Sequence, residues 1–333
     1  MKSNSTSPAG KAQKEVINPI ESSANFIGVD ISGAMLHAAL VTGEGNVVGR
    51  REAVLENDEI ATQMIQVASE LREGSVDVRA LGIGIPGLVN SNTDRVAVSF
   101  GLPSLVRENF RDELSRATGL AVELENDANA AAYGEYIAGA GRGSRSMFYV
   151  TIGTGVGGAL ILDGKLWLGA SGYAGEFGHI TIDPEGIECT CGNTGCLETV
   201  ASAPNIVRRA HERLYRDNTS SLSRLAMNRG FTAADVAREA LNGDDFAAMM
   251  IERTGKYIGT AIAAVVNLLN VERIVLGGDV MEAGELILNP IIRETGRRSF
   301  QPCFEATQIV AATLGADAVA IGAAMLARDA ISH

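Results

Sequence analysis

The chain has 333 residues, enough for two domains of ordinary size with a buried core each. Hydrophobic residues make up 46%, charged residues 20%, and glycine occurs 38 times, the profile of an α/β protein rich in tight turns and not of a disordered chain. A net charge of −12 opposes binding to nucleic acid or to an anionic membrane, since both require clustered Lys and Arg.

The first 25 residues are polar and lack the apolar stretch of a signal peptide, so they are expected to form a disordered leader. No later segment offers the long uncharged run of a membrane span, and the reading is a cytoplasmic protein. From Phe26 the pattern opens with an apolar strand, FIGVD, then a glycine turn and two further strands, MLHAALV and NVVGR, in antiparallel succession. Asp58 to Arg72 is helical in pattern, LGIGIPGLV from Leu81 reads as a buried strand ending in a turn, and Ser104 to Thr118 is expected to be a helix. ENDANAAAYGEY from Glu125 opens another helix, with Asn126 and Asp127 in its first turn. From Met147 the opening theme restarts as strand, glycine turn, strand, Asp-Gly turn, strand, which reads as a structural repeat. A long apolar helix from Phe246 to Leu269, the strand RIVL, the turn GGD at 277–279 and an alanine-rich helix from about Gly315 to Arg328 complete the chain. His37, Cys303 and the single Trp167 read as packing residues, while His211 and His333 read as exposed.

Three of the four cysteines, Cys189, Cys191 and Cys196, lie close together downstream of His179. One imidazole and three thiolates fill a tetrahedral Zn²⁺ and leave no coordinated water to activate, so the expected metal is structural and a zinc hydrolase is excluded. Three buried thiols without metal are the plainer reading, which the clustering opposes. Glu176 and Glu198 flank the ligands and would be drawn together by the metal; carboxylates accept hydrogen bonds from vicinal sugar hydroxyls, although both could also be solvated charges.

Three glycine turns each follow an apolar strand: Ser32 and Gly33 after Asp30; Gly153, Thr154, Gly155 and Gly157 in GTGVGG; and Gly277 and Gly278. Hairpin geometry alone explains any one of them. As a set they suit a phosphate cradle of backbone N–H groups, with Asp30 placed to hold Mg²⁺ through water. Asn126 and Asp127 suit helix capping equally well as proton acceptance from an attacking hydroxyl.

With these motifs in view, the sequence resembles the ROK family (repressors, open reading frames and kinases) over about residues 26 to 330. The likeness is most specific at His179 and CTCGNTGCLE, strong at ENDANAAAYGE and GTGVGG. It implies a two-lobed, actin-like (ribonuclease-H-like) ATPase fold with a structural zinc loop: a small α/β lobe over 26–125, a large lobe over 126–314 with the zinc loop at 179–196, and a last helix over 315–330 packing back on the small lobe. It further implies Asp127 as catalytic base, and Asn126, Asp127, Glu176, His179 and Glu198, with Pro86 and Gly87, as a ring of sugar contacts. The implied reaction is phosphoryl transfer from MgATP to a hexose, most simply the 6-hydroxyl of glucose, by a homodimer or homotetramer. The chain departs from the family pattern at Asp30-Ile31-Ser32-Gly33-Ala34-Met35, where kinases carry an additional glycine, a threonine and a lysine. It departs again at Asp279, where a third glycine is usual, and in SFGLPSL, which lacks the usual asparagine and tryptophan. A sugar-sensing regulator with a decayed nucleotide site is the competing reading. The short polar segment before Phe26, in place of a winged helix-turn-helix, favours the kinase.

Overall fold

A computed structural model describes residues 24–56, 59–74, 77–99, 101–214 and 219–332. The bulk of the expected leader, Asp58 and His333 lie outside the described residues, and Asn25 already belongs to the first strand.

Two mixed sheets of five strands organise the chain. The first is built from β1 (Asn25–Ser32), β2 (Met35–Thr42) and β3 (Val47–Val54), joined by tight turns, followed by α1 (Ile60–Arg72) and β4 (Val78–Ile85). A two-stranded ribbon follows, β5 (Leu88–Asn90) with β6 (Arg95–Val98), then α2 (Phe110–Thr118) and β7 (Ala121–Asn126). The strand order is β3-β2-β1-β4-β7, with β1–β2 and β2–β3 antiparallel and β1–β4 and β4–β7 parallel. α3 (Asp127–Ala138) leads directly out of β7 into β8 (Met147–Ile152), β9 (Val156–Leu162) and β10 (Lys165–Leu166).

After the cysteine-bearing loop come α4 (Glu198–Ala201), α5 (Ala203–Leu214), α6 (Ser221–Asn228), α7 (Ala233–Leu241) and α8 (Asp245–Leu269). β11 (Arg273–Gly277), α9 (Glu285–Arg298), α10 (Gln301–Ala306), β12 (Gln308–Ala311) and α11 (Ala318–Ala330) complete the fold. The second sheet runs β10-β9-β8-β11-β12, again an antiparallel hairpin set followed by parallel neighbours, so the two sheets repeat one plan. In both, the parallel strands end toward the same region, the position at which open α/β sheets bind ligands.

α11 packs against β1 and β4 on one side and α3 on the other. Its side chains toward those elements are small: Ala320, Ala323, Ala324 and Gly322 are all buried. A Cβ added at Gly28 would stand 1.7 Å from the Ala320 carbonyl oxygen, and one at Gly322 would stand 1.7 Å from that of Ala130. Backbones this close leave no room for relaxation, and Gly28→Ala is expected to destabilise by about 3 kcal/mol or more. Equilibrium denaturation measures that loss; an unchanged midpoint would contradict the packing.

Two sequence expectations are corrected. Trp167, read as core, is 55% exposed, because it follows the two-residue edge strand β10 and has no further strand to pack on. The helix expected over 104–118 is split: a 3₁₀ turn at Pro103–Leu105 is followed by an irregular turn and then by α2. LGIGIPGLV is, as expected, a buried strand, β4, ending in a turn at Pro86 and Gly87, after which β5 begins. His37 is half-buried and lies 3.3 Å from Glu52, whereas exposed His211 stacks on Phe231 with 4.3 Å between ring centroids.

Candidate active site

The end of β7 flows into α3 without a loop, which fixes the two residues at the junction. Asn126 caps α3: its Oδ1 accepts from the Asn129 N–H at 3.0 Å. Its Nδ2 donates to the Gly87 carbonyl at 2.9 Å and to Asp127 Oδ1 at 3.1 Å. Capping and tying the Pro86-Gly87 loop are therefore both performed by one side chain. Gly87 has φ +154, and a Cβ there would lie 2.1 Å from the Val98 carbonyl oxygen, so this loop approaches β6 more closely than any side chain permits. Ser99 Oγ anchors the same loop by donating to the Pro86 carbonyl at 2.8 Å.

Asp127 receives the Ala128 N–H at 2.8 Å. Its carboxyl is pushed up to about 7, by burial first and then by the negative charges of Asp30 and Glu176, which face it across the site. Asp30, at the end of β1, is 5% exposed and is pushed up to about 6, chiefly by burial. Ser32 Oγ donates to its Oδ2 at 3.0 Å, while its buried Oδ1 has no hydrogen-bond partner among the described residues. An orphaned buried carboxylate oxygen fits a cation or a cation-bound water.

Opposite lies the β8–β9 turn. The Gly153 N–H donates to the Gly155 carbonyl at 2.9 Å, Thr154 is exposed at its tip, and Gly157 packs over Ala128, to which an added Cβ would come within 2.9 Å. Glu198 closes this turn: its Oε2 accepts from the Val156 N–H at 2.9 Å. Gly277 is buried at the end of β11, and Gly278 holds φ +89 where a Cβ would strike the Ile152 backbone at 2.5 Å, so the third glycine turn packs directly against β8.

Glu176 is half-exposed and lies 3.8 Å from His179 Nε2; burial and the charge of Glu198 raise its carboxyl, with His179 acting in the opposite sense. The ligand atoms of His179, Cys189, Cys191 and Cys196 all lie within 4.8 Å of one another. His179 Nδ1 is 3.7 Å from Cys189 Sγ, and Cys191 Sγ is 3.7 Å from Cys196 Sγ. This donor set is compatible with a structural, four-coordinate Zn²⁺. A β-bridge between Thr181 and Cys196, with the Leu197 N–H donating to the Ile180 carbonyl, lays the His179 segment beside the Glu198 segment. Thus Asp30, Asn126, Asp127, Glu176, His179, Glu198 and the glycine turns converge.

Sequence reasoning missed the support beneath α3. Asn129 is 2% exposed and donates through Nδ2 to Glu125 Oε1 at 2.9 Å, an oxygen that also accepts from the Asn126 N–H. A polar residue inside an alanine run was the available signal. Also missed was the contact between β5 and the loop after β10: Asn90 Nδ2 donates to the Tyr173 hydroxyl at 2.8 Å, and the Ser91 N–H to the Ser171 carbonyl at 3.3 Å. Nothing in the local pattern pairs residues 83 positions apart.

Two sheets of repeated topology, an acidic site at their strand ends and three glycine turns define an α/β protein of the actin-like ATPase class. A profile of the ROK family matches residues 26–330, and the chain belongs to that family. It is 37% identical to the glucokinase of Halalkalibacterium halodurans over 91% of this chain and 95% of that one. It superposes with a TM-score of 0.81 on a ROK family glucokinase from Streptomyces griseus in complex with glucose and AMPPNP, at 33% identity, covering 92% of this chain and all of that one. It is also 29% identical to the xylose repressor of Caldicellulosiruptor bescii, over 92% of this chain and 79% of the repressor.

Proposed function

We propose that the protein is an ATP-dependent hexose kinase whose first substrate is glucose, phosphorylated at its 6-hydroxyl. The observation carrying this reading is Asp127, a carboxylate at the start of α3 poised near neutrality and facing both the sugar-side acid Glu176 and the phosphate-side acid Asp30. Glu176, His179 and Glu198, with Asn126 and the Pro86-Gly87 loop, form the hexose pocket. The glycine turns after Asp30, at 153–157 and at 277–278 hold the nucleotide phosphates through backbone N–H groups. Mg²⁺ bound with ATP would supply charge neutralisation at the phosphate oxygens, and Asp30 would be the residue that holds it, through water.

In the transfer, the sugar oxygen forms a bond to the γ-phosphorus as the bond from that phosphorus to the β–γ bridging oxygen breaks. The electron pair of that bond leaves with ADP, and the hydroxyl proton passes to Asp127. His179 would hold Zn²⁺ through one ring nitrogen and offer the other to the sugar. A Zn²⁺ held by His179, Cys189, Cys191 and Cys196 would be structural and would keep Glu176 and Glu198 at hydrogen-bonding positions.

Asp127 must be ionised to accept the proton, so kcat/KM is expected to fall below about pH 7, the value to which burial and its acidic neighbours raise it. A pH–rate profile flat down to pH 5 would contradict the base assignment. The reading as a whole is tested by coupled ADP release with MgATP over a panel of hexoses, beside calorimetric sugar binding. Sugar-dependent turnover supports it. Tight sugar binding without turnover points instead to a sensor, the reading favoured by the altered Asp30–Met35 turn and by the repressor among the relatives.

A further inference from the structure

Away from these residues, α8 and α9 pack along a glycine seam. A Cβ at Gly255 would stand 2.7 Å from Pro290 Cβ, and one at Gly259 would stand 2.6 Å from the Ile291 carbonyl oxygen. Helices held this close let long side chains on both flanks rise as the walls of a groove. The groove has a volume of about 660 Å³, within the range of small-molecule sites, and no residue assigned above lines it.

Its walls are cationic in a chain that is strongly acidic overall. Arg253 and Lys256 rise from α8, and Arg293, Arg297 and Arg298 from α9, against only two carboxylates, Glu252 and Glu294. Each acid is already shared: Glu252 lies 2.9 Å from Lys256 and 3.2 Å from Arg293, and Glu294 pairs with Arg297 at 2.7 Å and also with Arg298. Arg253 has no carboxylate partner among the described residues.

A second observation lies behind the wall. Arg209, on α5, is 5% exposed and its guanidinium stands 5.1 Å from the ring centroid of Tyr257, which lines the groove. Its Nη1 donates to the Val200 carbonyl and to Thr254 Oγ1, but its buried Nη2 has no partner among the described residues. Burial, with repulsion from Arg213, Arg253 and Arg208 and against the opposing effect of Tyr257, lowers this guanidinium to about 10. A buried cation with no balancing carboxylate among the described residues is costly, and an anion bound beside Tyr257 and Arg253 would offset that cost.

We infer that the α8–α9 groove binds a compact, multiply charged phosphate compound, a phosphomonoester or short oligophosphate, at a site separate from the sugar and nucleotide residues. Planar guanidinium groups bind phosphate oxygens in pairs, and the surplus of three cations over two carboxylates matches a ligand of two or three negative charges. The groove does not depend on the kinase reading, and its test is read by binding.

The probes are inorganic tripolyphosphate, inorganic phosphate and glucose 6-phosphate, titrated calorimetrically into the full chain and into Arg253→Ala/Arg293→Ala. These two arginines do not hold the buried Glu294, so the variant is expected to fold; Arg253→Glu serves as a second variant. The expected result is one site per chain that weakens by about tenfold or more in both variants, with sugar binding at the other site unchanged. Tightest binding by tripolyphosphate would identify an oligophosphate site; retention of glucose 6-phosphate binding in competition with saturating glucose, lost in the variants, would identify a phosphomonoester site. Absence of binding at millimolar probe, or binding indifferent to both variants, would overturn the inference. So would sedimentation showing that the variants only change self-association, which would make this face a contact between copies of the chain.

Discussion

Asp127→Asn is expected to lower sugar-dependent ADP release by about 10²–10⁴-fold, the range for loss of a positioned general base. The substitution is nearly isosteric and keeps Oδ1, which accepts from the Ala128 N–H and from Asn126 Nδ2, so the cap and the Pro86-Gly87 loop stay in place. Sugar affinity measured by calorimetry should therefore change little. Stability should move the opposite way from activity. The Asp127 carboxyl is raised from its ordinary value to about 7 in the folded protein, so the folded state holds a proton that the unfolded state releases. The ligand-free protein accordingly loses stability as pH rises from about 4 through about 7, and Asp127→Asn removes that loss. A higher melting temperature at pH 8 with turnover abolished would show a group kept for chemistry at a cost in stability. Unchanged turnover would sink the base assignment outright.

The second large effect is expected from Cys191→Ser. Cys191 is exposed, whereas Cys196 is fully buried, so loss of the Cys191 thiolate can be read without a cavity in the core. Metal analysis should show the ion lost or greatly weakened, because three remaining donors no longer close the tetrahedron. Sugar affinity should fall with it, by about 10- to 100-fold, the scale on which supporting interactions around a metal act. The physical link is the bridge between Thr181 and Cys196, which sets His179 and Glu198 side by side. Metal loss with sugar affinity intact would show that the backbone alone, through the Leu197 to Ile180 hydrogen bond and the Glu198 to Val156 contact, holds these groups.

Much of this arrangement was legible in the chain. Strand, glycine turn, strand is a short-range pattern, and it occurs at Phe26 and again at Met147; the two sheets repeat accordingly. Donor chemistry also reads locally, since three thiols and an imidazole within a few turns of chain have few other uses. Misreadings came where a local signal met a non-local constraint. Leu105 and Phe110 are both buried but stand five positions apart, which does not keep them on one helical face, so the chain leaves the 3₁₀ turn and starts α2 afresh. Trp167 has the composition of a core residue, but its strand proved to be a sheet edge.

The sequence by itself therefore determined most of the element types, the repeated plan, the cluster of one imidazole and three thiols, and the identity of the acids. Only the tertiary structure decided that Asp30 and Glu176, 146 residues apart, both act on Asp127 and raise its carboxyl. It alone decided that Asn126 divides its amide between capping α3 and tying Gly87, that Asn90 meets Tyr173, and that five cations of α8 and α9 stand around one groove. The reason is physical: hydrogen bonding and periodicity act over a few residues and are written in order along the chain, whereas burial, desolvation and charge repulsion depend on which distant segments the packed helices and sheets bring together.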